Sequence, residues 1–359
     1  MRLGIIGLPN SGKTTLFNAL TSGDYETSAV SSGQFHVNTS VVNVPDERLE
    51  VLEEMYDAKK KVYATITYTD IGGLDKGIGE GGLSGQLRNE LSQVDGFVHV
   101  IRVFESNTVP HPFETIDPQR DLETLDSEFL LLDLVAVENR LEKIESELKL
   151  KGKRADQNLL DEQPIMERFK AHLDEGRPLR DLDVPEKERK MIGGFGFLTL
   201  KPVLIVLNLG DERKSGDDQL NYDYKHANHI ALQASLEADL AQLDADDATM
   251  FMEEYGVTEL SASRVVRLSY ELVNIHSFLT AGEKEVRAWT IPVGATAYEA
   301  AGAIHGDIQK GFIRAEVTPY TDLAELGSEA AVKAAGKMRL ESKEYVVQDG
   351  DVIVFRHSS

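Results

Sequence analysis

Arg2-Leu-Gly-Ile-Ile-Gly7-Leu-Pro-Asn10-Ser11-Gly12-Lys13-Thr14-Thr15 decides how the chain is read. A short apolar run, Leu3, Ile5 and Ile6, predicts a buried strand. The Leu16, Phe17, Ala19 and Leu20 spacing predicts a helix directly after it. Between them Gly7 and Gly12-Lys13-Thr14 have the spacing of a phosphate-binding loop. Glycines let the backbone close around phosphate with N–H groups turned inward, and the helix N-terminus adds partial positive charge. Asn10, Ser11, Gly12, Lys13, Thr14 and Thr15 are therefore candidate phosphate ligands. Lys13 is placed to neutralise the outer phosphates, and the Thr14 hydroxyl to ligate Mg²⁺.

Working outward, Val62–Tyr68 is rich in β-branched residues and predicts a strand ending in Asp70-Ile-Gly-Gly73. One strand after the loop, Asp70 is the expected second Mg²⁺ contact, and the Gly73 N–H the expected sensor of the γ-phosphate. Glycines at 72, 73, 77, 79, 81, 82 and 85 make this segment inexpensive to rearrange. Leu74 stands where Ras-type enzymes place the glutamine that orients water, which predicts slow unassisted hydrolysis. His111, in a proline-flanked loop, is the candidate replacement, and a solvated loop histidine is the alternative. After another apolar run, Pro202–Leu207, come Asn208-Leu209-Gly210-Asp211. Asn208 and Asp211 keep the frame of a guanine-reading Asn-Lys-x-Asp segment, with Leu209 in place of the lysine; these are the candidate base-binding residues.

Strands alternating with helices predict a mainly parallel sheet. From Leu122 the pattern changes: Leu122, Leu125, Phe129, Leu132, then Val137, Leu141, Ile144 and Leu148 form a heptad-like seam with one slip. A basic break, Lys149–Arg154, separates it from a second helical pattern, so 122–198 is expected to be an antiparallel helical arm inserted into a nucleotide domain of 1–121 and 199–275. From His276 onward, strands at Glu285–Ile291 and Phe312–Val317, helices at Ala295–His305 and Ser328–Gly336, and two strands within Tyr345–Phe355 predict a small α+β unit of β-grasp type.

The 359 residues carry a net charge of −23, which argues against a general nucleic-acid coat, and no cysteine, which excludes disulfides and thiol chemistry. No run is long enough to span a bilayer, and Met1-Arg2 leads straight into the first strand, so a cytoplasmic protein without membrane contact is expected.

These motifs in this order resemble the YchF type of the Obg-like ATPase family, and the likeness spans nearly the whole chain. It is carried by the loop and its helix, by the Asp70 segment, by Phe197-Leu-Thr-Leu-Lys-Pro202, and by Phe278–Ile291, Lys310–Glu316 and Val347–Val352. The resemblance implies a P-loop G domain with a coiled-coil insert and a terminal TGS β-grasp domain, and Mg²⁺-dependent hydrolysis of ATP in preference to GTP. It further implies nucleotide-dependent binding to ribosomes, with the arm tip (Lys149, Lys151, Lys153, Arg154) and the TGS domain as candidate rRNA contacts, and a water-assisting histidine matching His111. Three departures stand out. Asp211 replaces the family's glutamate, the family's first switch sequence is missing from Ser28–Asn38, and Leu232-Gln233-Ala234 replaces its Ser-Ala base loop. The remaining readings are a GTP-specific enzyme, a scaffold with a degenerate nucleotide site, and a small-molecule kinase.

Overall fold

The computed structural model describes residues 1–25, 37–72, 85–151, 157–210, 220–243, 247–248, 250 and 260–358. Its contacts divide the chain into two compact units: Met1–Ser40 with Thr67–Val265, and Val41–Ile66 with Val266–Ser359. Val41–Ile66, which the sequence placed in the nucleotide domain, is thus grouped with the carboxy-terminal residues.

The first unit is built on a six-stranded sheet. Its strands are β1 (Arg2–Ile6), β2 (Val37–Asn43), β4 (Thr65–Ile71), β5 (Gly96–Arg102), β6 (Val203–Asn208) and β7 (Ala227–Leu232), in the order β2-β4-β1-β5-β6-β7. The β1–β4, β1–β5, β5–β6 and β6–β7 pairs are parallel, as expected for strands joined by crossovers. β5 and β6 are buried at every position, which is why they read as unbroken apolar runs. Helix α1 (Lys13–Thr21) buries Leu16, Phe17 and Leu20, each worth roughly 1.5–3 kcal/mol of transfer free energy. Helix α3 (Gly85–Gln93) adds Leu87 and Leu91 to the core cluster that holds Ile6, Phe97 and Ile101 of the sheet.

The arm is as the heptad-like seam predicts. Helix α4 (Pro118–Lys151) packs against α5 (Gln157–Asp174), and the Arg140–Glu162 and Glu138–Lys170 ion pairs fix them antiparallel. The slip in the seam has a structural cause. Leu122, Leu125 and Phe129 pack in the core cluster of the sheet, whereas Val137 and Ile144 pack with Ile165, Met166 and Phe169 of α5. Asp133 lies at the change of partner, buried, and accepts from the Leu198 and Thr199 N–H groups and the Thr199 hydroxyl. The helix also runs through Lys149 to Lys151, where a break was expected. The remainder of the basic stretch lies outside the described residues.

The second unit holds helix α2 (Glu47–Tyr56) and a mixed sheet. The strands of that sheet are β3 (Lys61–Val62), β8 (Ile275–Thr280), β9 (Val286–Pro292), β10 (Phe312–Pro319), β11 (Arg339–Glu341) and β12 (Asp351–His357), in the order β11-β10-β12-β8-β9-β3. Phe278, Ile291, Ala315, Val317 and Ile353 form its core with Ala297 and Ala300 from the helix Ala297–Ile304, whose N-terminus is a Thr296–Glu299 capping box.

Two expectations need correction. The single strand expected over Val62–Tyr68 is two strands in two sheets. Lys61 and Val62 pair in parallel with Val286 and Arg287, whereas Thr67 to Asp70 pair with β1. Tyr345–Val347 is not a strand. It makes one isolated bridge, Thr296 to Val346, because the Tyr345 hydroxyl and the Gln348 N–H both turn onto the Asp351 carboxylate and wrap the segment into a loop.

Candidate functional site

Asn10 and Gly12 adopt positive φ, 61° and 97°, and Gly7 lies at 150°. These angles curl the loop between β1 and α1. A Cβ on Gly12 would stand 2.2 Å from the Asn208 amide nitrogen, and one on Gly7 would stand 2.4 Å from the Val100 carbonyl, so neither glycine has a substitute. No side chain caps α1, and its first turn has no acidic residue. A helix start without a side-chain cap or an acidic residue presents partial positive charge that favours an anion. The Lys13 ammonium lies along the loop, donating to the Gly7 carbonyl at 3.1 Å and the Leu8 carbonyl at 2.8 Å. Thr15 follows on the same helix. The Ser11 hydroxyl is buried without a hydrogen-bond partner among the described residues.

Thr14 and Asp70 meet. The Thr14 hydroxyl donates to Asp70 Oδ2 at 2.8 Å, and Asp70 Oδ1 is buried with no hydrogen-bond partner among the described residues. A buried carboxylate oxygen left in that condition is costly to the fold on its own. Beside a threonine hydroxyl at a phosphate loop, this donor set has the hard oxygen chemistry that suits Mg²⁺. Asp70 is 0% exposed at the end of β4, where pairing of Ile5 with Asp70 fixes its height relative to the loop. Gly73 and Leu74 lie outside the described residues.

Asn208 ends β6 and binds two segments together. Its Nδ2 donates to the Ser11 carbonyl at 3.0 Å, and its Oδ1 accepts from the Ala234 N–H at 3.1 Å. The Gln233 amide donates to the Gly210 carbonyl at 2.9 Å, so the replaced base loop is fastened to the segment that follows Asn208. Leu209 is 6% exposed and packs within the sheet's core cluster. Asp211 lies outside the described residues.

His111 is not the solvated loop histidine of the alternative reading; only 4% of its side chain is exposed. Its Nδ1 accepts from the Phe113 N–H at 3.1 Å, so the proton sits on Nε2, which donates to Asp121 Oδ2 at 2.8 Å. Both ring nitrogens are engaged, and a water-holding role requires the ring to leave one of them.

Three residues about the site, Arg102, Phe104 and His99, were not singled out from the sequence. Arg102, buried at the end of β5, donates to the Phe104, Val109 and Pro110 carbonyls and lies 4.2 Å over the Phe104 ring. Asn10 donates to the same Pro110 carbonyl at 2.9 Å, tying the loop after β5 to the phosphate loop. Phe104 in turn lies against Gly210, whose Cβ would stand 3.2 Å from that of Phe104. The one available signal was an arginine near the end of an otherwise apolar strand. His99 on β5 is also buried, with Nε2 unpartnered among the described residues; burial, reinforced by the Lys13 and Arg180 charges, holds its pKa down at about 3.

Residues 2–109 match a family model described as a 50S ribosome-binding GTPase, and residues 275–358 match YchF-GTPase_C, described as a protein of unknown function. The chain is 38% identical over 362 residues to the "Ribosome-binding ATPase YchF" of Bacillus subtilis, covering 98% of each. It is likewise 38% identical over 360 residues to the protein of that name from Escherichia coli O157:H7, covering 99% of this chain and 98% of the other. Among solved structures, the Schizosaccharomyces pombe YchF GTPase superposes with a TM-score of 0.81 at 30% identity, covering 99% of this chain and 97% of that one. The likeness to these relatives runs the full length of the chain, through the phosphate loop, the arm inserted before β6 and the carboxy-terminal sheet, and the chain belongs to the YchF family.

Proposed function

We propose that the chain is a Mg²⁺-dependent nucleoside triphosphatase that favours ATP over GTP and binds ribosomes according to its nucleotide state. The observation that carries this reading is the Thr14–Asp70 pair beside a helix whose N-terminus no side chain caps. Backbone N–H groups of Asn10 to Thr15 hold the phosphates, and Lys13 leaves the Gly7 and Leu8 carbonyls to stabilise charge on the transferring phosphoryl group. Thr14 and Asp70 hold the metal. When bound, Mg²⁺ neutralises charge on the phosphate oxygens. Gly73 senses the γ-phosphate, and His111 orients water once its ring is released from Asp121. Asn208 and Asp211 read the base, with Leu209 and the neighbouring Phe104 as apolar surroundings. With leucine at 74, slow intrinsic turnover is expected; Ras without its activating partner, another site short of a catalytic group, runs at ~10⁻⁴ s⁻¹.

The domain division that goes with this reading is a nucleotide domain of 1–121 and 199–275, an arm of 122–198 and a TGS β-grasp domain of 276–359, with Val41–Ile66 of the first range packed in the compact unit of the last. The ribosome is proposed as partner because the relatives from Bacillus subtilis and Escherichia coli are named ribosome-binding. Exposed Lys149 near the end of α4 and the TGS domain are the proposed rRNA contacts. A cytoplasmic location goes with the proposed ribosomal partner; among the described residues no helix is long and apolar enough to cross a membrane.

The deciding experiment is competition between ATP and GTP for the wild type and for Asp211→Glu, with Lys13→Ala as control. ATP should bind more tightly to the wild type, and Lys13→Ala should abolish hydrolysis. A tenfold preference for GTP would overturn the base assignment. Unchanged hydrolysis in Lys13→Ala would overturn the site.

A further inference from the structure

Between β2 and β4 the chain makes a detour. Val44 N–H donates to the Ala64 carbonyl at 2.8 Å, closing the detour at its base. What it encloses, helix α2 and strand β3, is built into the second unit. Lys59 N–H donates to the Glu283 carbonyl at 3.1 Å, and Val286 N–H donates to the Lys60 carbonyl at 2.9 Å. Leu49 and Leu52 of α2 are 0% exposed. The Tyr56 hydroxyl donates to Glu329 at 2.8 Å.

Arg48 is the clearest anchor. Held in shape by its own Asp46, it reaches the Asp349 carboxylate at 2.7 Å. Asp349 also accepts from the Ser277 N–H, so the arginine is fastened to the turn that aligns β8 with β12. The fit is close. Gly350 has φ +77°, and a Cβ there would stand 2.7 Å from the Arg48 guanidinium.

Past the detour, β4 leads to the candidate site. From Thr65, β4 runs without interruption to Asp70, roughly 17 Å at the usual rise of a strand, and Asp70 holds the Thr14 hydroxyl. A strand hydrogen-bonded to its neighbours moves as a body, since a slip of one residue would reverse every side chain on it. A shift of Asp70 is therefore passed along β4 to Ala64. The β3–β9 ladder at the far end is only two residues long, and so short a ladder opens at little cost.

We propose that the Val44–Ala64 detour is a regulatory connection: nucleotide bound at Thr14 and Asp70 changes the opening of β3 from β9, with Arg48 and Asp349 as its clamp. This rests on the reading of that site as a triphosphate site. Coupling of this kind is reciprocal, so loosening the clamp changes nucleotide affinity by the same factor.

The protein carries its own reporter. Trp289 is its one tryptophan and lies on β9. Its indole N–H donates to the Thr280 hydroxyl at 2.9 Å, and the Arg287 guanidinium lies 4.0 Å over its ring. Arg287 is the register partner of Val62.

The test uses the full chain with Mg²⁺ and ATPγS. Affinity is measured by displacement of a fluorescent ATP analogue, and amide hydrogen exchange is followed over residues 44–64 and 283–292. Saturation should change exchange in both segments by at least threefold and shift Trp289 emission excited at 295 nm. Asp349→Asn, or Arg48→Lys should the first variant fold poorly, should reduce that response and change ATPγS affinity by about three- to tenfold. Nucleotide that binds while both segments and Trp289 stay unchanged overturns the connection alone. A chain that binds no nucleotide overturns the functional reading and the connection together. The wild-type comparison decides the matter even if neither variant folds.

Discussion

Thr14 Oγ1 and Asp70 Oδ2 stand 2.8 Å apart, and the remaining oxygen of Asp70 is buried without a hydrogen-bond partner among the described residues. Asp70→Asn keeps the shape but replaces one oxygen with a donor and removes the charge. The Mg²⁺-dependent part of nucleotide affinity should fall at least tenfold, while unfolding free energy changes by less than about 1 kcal/mol, because a buried carboxylate without full compensation contributes little to the fold. Titration calorimetry with and without Mg²⁺, beside urea unfolding, checks both parts.

Gly12→Ala should be severe. The residue sits at φ +97°, and its Cβ would lie 2.2 Å from the Asn208 amide that straps the phosphate loop to β6. Left-handed strain alone costs about 1–2 kcal/mol, and displacing Asn208 adds to it. Urea unfolding should show a loss of at least about 2 kcal/mol, with nucleotide affinity falling as well. Gly282→Ala is the matched control, since a Cβ there meets nothing within 4 Å.

His99 predicts acid sensitivity. Its folded-state pKa of about 3 lies below the ordinary histidine value of 6.5, so the fold favours the neutral ring. The sign follows: the stability is present above pH 6.5 and is lost as pH falls toward 3, at up to roughly 1.4 kcal/mol per pH unit for one proton. His99→Leu should flatten the decline of stability over that window by up to this slope. Urea midpoints measured from pH 7 to pH 4 test it. Equal slopes for the two proteins would assign the decline to carboxylates instead.

His111→Ala should destabilise the protein by about 1–3 kcal/mol, because Asp121 Oδ2 and the Phe113 N–H both lose a partner in a shielded setting. Chemical denaturation reads this loss. A drop in kcat of tenfold or more with stability unchanged would place the released ring at the attacking water.

What the sequence disclosed, and what it withheld, follows from distance along the chain. The phosphate loop is local: its glycines, Lys13 and Thr14 are contiguous, so spacing alone gives their geometry. The arm was legible for the same reason, and even its slip was visible, although nothing local says that Phe129 packs on the sheet and Val137 on α5. The division of Val62–Tyr68 between two sheets was hidden, because the partners of Lys61 and Val62 are Val286 and Arg287, more than two hundred residues away. His111 was noticed for its chemistry, but its engagement depends on Asp121, which has no signature of its own. Arg102 went unremarked because a charge ending a buried strand has no motif, only a set of carbonyls gathered by the fold.

The placement of α2 and β3 has a practical meaning for anyone who would cut this protein in two. A fragment beginning at Val266 would keep most of the second sheet yet leave β9 as an open edge, the kind of surface that recruits other chains into aggregates. A fragment ending at Val265 would carry Leu49 and Leu52 with no core to enter. The carboxy-terminal residues are thus no detachable cassette; at the bench their integrity is bound to Val41–Ile66, two hundred residues earlier in the chain.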